Sequence, residues 1–256
     1  MRQRLRFTKQ GKIRFLSHRD LARIWERTLR RAGVAVAYSE GFSPRPRLHF
    51  GLALSTGHES LGEYLDIDLA PDGALDPADL PALVNPHLPE GMTAQAVIPV
   101  EAGSDSLQQA VTSCGWEIEV VGAGAPAVAA AAQRALGASA LPTTVERKGA
   151  SVSIDARPAI LALEVAPSPV PTPVPTPDGV APLRPSTLLV AELATQPRSL
   201  RPAELVRALD PAWVEGRVLR THQWTLVDGA RCEPIPLSEG GARGATSIPH
   251  AGARAS

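Results

Sequence analysis

The sequence predicts an α+β fold built from two halves of one plan, and three observations carry that expectation. Arg2–Lys9 and Glu63–Leu69 alternate in polarity with the period of a half-buried strand. Between them, residues 17–33 carry the start and stop signals of a single amphipathic helix. From Trp116 onward the succession of strand and helix patterns begins again.

In Arg2–Lys9, Leu5 and Phe7 fall on one face and Arg2, Arg4 and Arg6 on the other. Gln10-Gly11 reads as a turn, and Lys12–Phe15 as extended chain leading into the helix. Ser17 is the expected N-cap, with Asp20 in the place a capping box gives to Glu or Gln, and Gly33 is the expected C′ residue. Leu21, Ile24, Trp25, Leu29 and Ala32 form the face to be buried, while Arg19, Arg23, Arg27 and Arg31 follow one another at i, i+4 spacing on the other side. Glu26 lies at pairing distance from Arg23 and Arg30.

Tyr38–Arg47 follows as an arginine-bearing loop, because Gly41, Pro44 and Pro46 exclude regular structure. Arg47–Leu54 is the second expected strand, Ser55–Gly62 a polar loop, and Glu63–Leu69 a third strand with Leu65, Ile67 and Leu69 inward. Asp76-Pro77 starts a short helix carrying Leu80, Leu83 and Val84, and Thr93–Val100 is a fourth strand. The order strand, helix, strand, strand, helix, strand is that of a ferredoxin-like βαββαβ unit. In that topology the first and third strands are antiparallel neighbours, with helices on one sheet face and the other face open. Arg2, Arg4 and Arg6 then meet Tyr64, Asp66 and Asp68, so part of the arginine charge is spent internally.

The second half offers strands at Trp116–Val121, Thr143–Arg147, Ser151–Asp155, Ile160–Val165, Thr187–Ala194 and Arg217–Val227, with helices at Ala127–Leu136 and Pro202–Leu209. The expectation is therefore two tandem ferredoxin-like units with antiparallel sheets, at 1–103 and 104–235. A proline-rich insertion at 166–186 interrupts the second, and its alternate prolines favour extended chain. A disordered tail is expected at 236–256.

Composition narrows the function. Formal net charge is zero, yet residues 1–50 hold 13 of the 26 Lys and Arg and only three of the 26 acids. Such polarity suits a polyanion such as RNA, or an acidic protein surface. Cys114 and Cys232 are the only cysteines and lack metal-ligand spacing, so no disulfide framework, zinc site or iron–sulfur site is expected, and no metal or cofactor. Without an apolar leader or a run approaching ~20 apolar residues, a cytoplasmic protein with no membrane association is expected. Phosphate-binding glycine loops, dinucleotide fingerprints, nucleophile elbows and HExxH helices are missing from the sequence. The expected binding set for RNA or a partner is Lys9, Lys12, Arg14, His18, Arg19, Arg23, Arg27, Arg31, Phe42, Arg45 and Arg47, with Phe42 and Tyr64 as base-stacking platforms. No catalytic residue is assigned; His18, at the helix start among arginines, is the one candidate for proton transfer, and a capping or packing role competes with it.

The strings Gly11-Lys-Ile-Arg-Phe-Leu-Ser-His-Arg-Asp-Leu-Ala-Arg23, Glu26-Arg-Thr-Leu-Arg-Arg-Ala32, Tyr38-Ser-Glu-Gly-Phe-Ser-Pro-Arg-Pro-Arg-Leu48 and Gly62-Glu-Tyr-Leu-Asp-Ile67 resemble the bacterial radical SAM-linked proteins, the domain DUF2344. The close resemblance covers about the first 70 residues, and the proline-rich insertion departs from it. It implies association with a separately encoded radical SAM enzyme, and it supplies no activity. Two distant cysteines cannot form the three-cysteine cluster motif of such an enzyme, so this chain would be the partner. Three readings follow: a non-catalytic accessory protein that binds RNA or an RNA-containing assembly, a metal-independent endoribonuclease using His18, or a protein-only docking subunit.

Overall fold

The computed structural model describes residues 1–71, 76–147, 149–166, 175–176, 179–180 and 185–235. It is a mixed α+β protein with a mostly antiparallel sheet. In chain order the elements are β1 (Arg2–Lys9), α1 (His18–Arg31), β2 (Leu48–Phe50), β3 (Glu59–Asp68), α2 (Leu80–Val84) and β4 (Ala94–Pro99). They continue with α3 (Leu107–Ala110), β5 (Val111–Val121), α4 (Ala125–Gly137), β6 (Pro142–Arg147), β7 (Ala150–Asp155), β8 (Ile160–Val165), β9 (Pro175–Thr176) and β10 (Gly179–Val180). The last are β11 (Ser186–Ala194), α5 (Pro202–Leu209), β12 (Val214–Val227) and β13 (Ala230–Cys232).

One sheet of nine strands runs β4-β1-β3-β12-β5-β11-β8, with β2 on β3 and β13 on β12. The two separate sheets expected from the sequence are thus one. The halves meet where β12 pairs with β3 in parallel, through Leu219 opposite Glu59 and Arg220 opposite Ser60. Every other pairing is antiparallel. β6 and β7 form a hairpin of their own, and β9 and β10 a two-residue pair. The rest of the expected proline-rich insertion lies outside the described residues apart from its ends, as does the expected tail.

Both main cores lie on the helix-bearing face. Leu5, Phe7, Leu65 and Ile67 from the sheet pack on Leu21, Trp25 and Leu29 of α1 and on Leu80 and Val84 of α2. In the second half Ile118, Val120, Leu189 and Val218 pack on Val128, Ala131 and Ala132 of α4 and on Leu205 and Val206 of α5. The small alanine side chains let α4 lie close to the sheet.

Three local expectations change. Lys12–Phe15 is not extended: Gly11–Phe15 is a turn of 3-10 helix, entered through Gly11 at a φ of +64°. The second strand shrinks to Leu48–Phe50, whereas the third starts at Glu59, inside the expected loop. The opposite face of the first half is not open either. Tyr64 packs there with Leu107 of α3 and Ile235, while Arg6 pairs with Glu233 and donates to the Ile235 carbonyl at 3.3 Å. A Cβ on Gly62 would stand 3.0 Å from the Arg6 guanidinium, so glycine at that position lets the arginine lie across the strand.

Candidate nucleic-acid interface

Helix α1 is fixed at both ends. The Asp20 N–H donates to Ser17 Oγ at 3.2 Å, and the Ser17 hydroxyl donates to the Asp20 carboxylate at 2.6 Å, which holds that carboxyl below its usual range. Gly33, at a φ of +70°, turns the chain away at the other end. Trp25 anchors the inner face edge-on to Phe7, with ring centroids 4.9 Å apart, and Thr28 donates to the His87 carbonyl.

The outer face is basic along its length. Arg19, Arg23, Arg27, Arg30 and Arg31 are all exposed, spread over a helix about 21 Å long. Arg23 pairs with Asp20 at 3.4 Å, which is the one ion pair on this face among the described residues. Glu26, expected to meet Arg23 and Arg30, pairs with neither. Lys12 and Arg45 are exposed and unpaired as well. Arg14 lies 3.7 Å from Glu59 and stacks over the ring of Phe15, 4.5 Å from its centroid.

Two phenylalanines stand in water on the segments that precede and follow α1 in the chain. Phe15 is 61% exposed just before α1, and Phe42 projects fully from the tip of the 38–47 loop. A Tyr38–Pro46 bridge closes that loop, and the Arg45 N–H donates to Ser39 Oγ. Phe15 was not legible as a platform because its segment reads as extended chain; the glycine before it is the one local signal of the tighter turn.

Some expected members are withdrawn or spent. Lys9 is a correction: it is 2% exposed, its amine donates to the carbonyls of Arg14 and Leu16, and burial pushes its pKa down. Strand alternation already placed it on the face of Leu5 and Phe7. Tyr64, at 2% exposed, cannot stack a base, and burial pushes its phenol well above the usual range. Arg47 shares Asp68 with Arg2 and His49.

His18 begins α1, exposed, with its ring edge-on to Phe50 at 5.1 Å. It borders a cavity of about 10 Å³ that Lys9 and Glu63 also line, room for about one water molecule. Among the described residues the His18 ring makes no hydrogen bond to another side chain or to the backbone, and no cluster of three or more His, Cys, Asp or Glu side chains is placed to hold a metal ion. No described helix is long and apolar enough to cross a membrane.

A bacterial family whose description is "Uncharacterized protein conserved in bacteria (DUF2344)" matches residues 2–202. The chain belongs to this family. No curated protein matches the DUF2344 protein. Among solved structures it is similar to the "Crystal Structure of a Cbf5-Nop10-Gar1 Complex", with 6% identity, a TM-score of 0.48, and coverage of 86% of this chain and 48% of the other. It is also similar to the "Crystal structure of the archaeal box H/ACA sRNP Nop10-Cbf5 complex", with 5% identity, a TM-score of 0.45, and coverage of 86% and 47%. The DUF2344 protein spans about half the length of these solved chains.

Proposed function

We propose that this DUF2344 protein is a non-catalytic accessory protein that binds single-stranded RNA along the outer face of α1. The observation that carries the proposal is the set of unpaired, exposed cations Lys12, Arg19, Arg27, Arg30, Arg31 and Arg45, flanked by the exposed rings of Phe15 and Phe42. Arginines three or four residues apart on a helix, with Cβ atoms about 6 Å apart, can follow a phosphate backbone, and the rings offer sequence-tolerant stacking. Binding is preferred to cleavage because nothing orients His18 as an acid or base. The scaffold reading is two fused ferredoxin-like units, supported by the strand orders β4-β1-β3-β2 and β12-β5-β11-β8, in which each half places its strands fourth, first, third, second. Partnership with a radical SAM enzyme is part of the proposal and rests on the sequence resemblance alone; the cytoplasmic setting rests on the sequence having no long apolar run.

The test is titration of a fluorescent RNA nonamer with wild type and with an Arg27→Glu/Arg31→Glu/Arg45→Glu variant, folding being followed by circular dichroism. Wild type should bind with log K falling against log salt at a slope of about −3, as four phosphate contacts give at about −0.7 each. The folded variant should lose roughly a hundredfold at low salt. Equal, salt-insensitive binding by both proteins would refute the proposal and leave docking to an acidic protein surface as the use of this face.

A further inference from the structure

Between the C-terminal half of α1 and the start of the 38–47 loop lies a cavity of about 230 Å³. Drug-sized ligands fill about 300–1,000 Å³, so this one suits a single planar ring system. Its floor is apolar, from Leu29 and Val36, and its walls include Pro46 and the ring of Tyr38, which is 56% exposed. Glu26 and Arg30 complete the lining.

Glu26 is the informative residue. Helix spacing offers it Arg23 three residues back and Arg30 four residues on, yet it forms no ion pair among the described residues and borders the cavity instead. A carboxylate kept free on an otherwise positive face repels phosphate and only accepts hydrogen bonds. Arg30 beside it supplies the opposite preference. The ligand that satisfies both is anionic at one end and presents adjacent donors at the other.

Resting on the RNA-binding reading, we infer that this cavity takes one unpaired guanine of the bound strand. Guanine alone among the four bases carries two neighbouring N–H donors, N1–H and the 2-amino group, on its pairing edge, matching the two carboxylate oxygens. Adenine and cytosine pair each donor with an adjacent acceptor, and uracil flanks its single N–H with carbonyls, so each would set an oxygen or nitrogen lone pair against Glu26. Tyr38 would stack on the base and Arg30 would meet its phosphate.

The experiment compares uridine nonamers carrying one central guanosine, inosine or adenosine, titrated against wild type, Glu26→Gln and Tyr38→Ala. Inosine keeps N1–H and lacks the 2-amino group. Wild type should prefer guanosine to inosine by roughly tenfold, within the range of one good bidentate base contact. That ratio should fall toward one in Glu26→Gln, and Tyr38→Ala should weaken guanosine binding by roughly tenfold. Equal, salt-steep binding of all three nonamers by wild type would overturn the guanine pocket while leaving RNA binding intact. A ratio that persists in Glu26→Gln would also overturn it. Failure of every nonamer to bind would remove the RNA reading itself and the pocket with it.

Discussion

The first half carries two sets of arginines at regular spacing, and they end in opposite environments. Arg2, Arg4 and Arg6 occupy every second position of β1 and lie opposite Asp68, Asp66 and Tyr64 of β3. Arg4 holds Asp66 through two hydrogen bonds of 2.7 and 2.9 Å, and both residues are buried. Arg19, Arg27 and Arg31 occupy every fourth or eighth position of α1 and meet only solvent. A strand in mid-sheet always has a neighbour opposite each side chain, so its charges must be answered or neutralised. A surface helix has an outer face with no neighbour, and charge placed there stays available. Counting basic residues therefore overstates the ligand surface by the share that the sheet consumes.

The largest effect is expected where a partner of an inner arginine is removed. Asp66→Ala should cost about 3–5 kcal/mol in urea unfolding, because Arg4 stays buried without an answering charge. Ser17→Ala should cost about 1 kcal/mol by removing the cap that holds α1 and hence the outer stripe in place. A milder separation comes from pH. The Arg2 hydrogen bond holds the Asp68 carboxyl below its usual range, so this pair contributes fully above about pH 4 and fades as pH falls through the depressed value. The stability difference between wild type and Arg2→Gln, measured by urea titration, should therefore shrink between pH 6 and pH 2. Smallest of all, Arg27→Ala should leave stability within about 0.5 kcal/mol of wild type while weakening RNA binding.

Much of the first half was legible because its signals are local. Alternation located β1 and most of β3, the Ser17 and Gly33 signals bracketed α1, and the expected antiparallel pairing put Arg2, Arg4 and Arg6 on the side of Tyr64, Asp66 and Asp68, whose register the structure supplies. The seam between halves was not legible. Arg220, 1% exposed, donates to Glu63 at 2.5 Å and to the Leu52 carbonyl at 3.0 Å, and Arg217 reaches Glu59 at 2.5 Å. Those partners sit more than 150 residues apart in sequence, in strands that pair only because two halves fuse edge to edge. Of the candidate interface, the arginine stripe and Phe42 followed from periodicity and loop chemistry. The exposure of Phe15 and the freedom of Glu26 did not, since each depends on a side-chain choice between neighbours that spacing permits equally.

The segment at Glu233–Ile235 that covers Arg6 and Tyr64 sets an order of events for a chain leaving the ribosome. Arg6 emerges 227 residues ahead of its carboxylate partner. At elongation rates of about 5–20 residues per second, the first half waits on the order of ten seconds or more with that face unsealed. During that interval the guanidinium of Arg6 and the ring of Tyr64 must remain hydrated or be shielded by another protein. The surroundings of β1 are thus completed by residues made long after the strand itself.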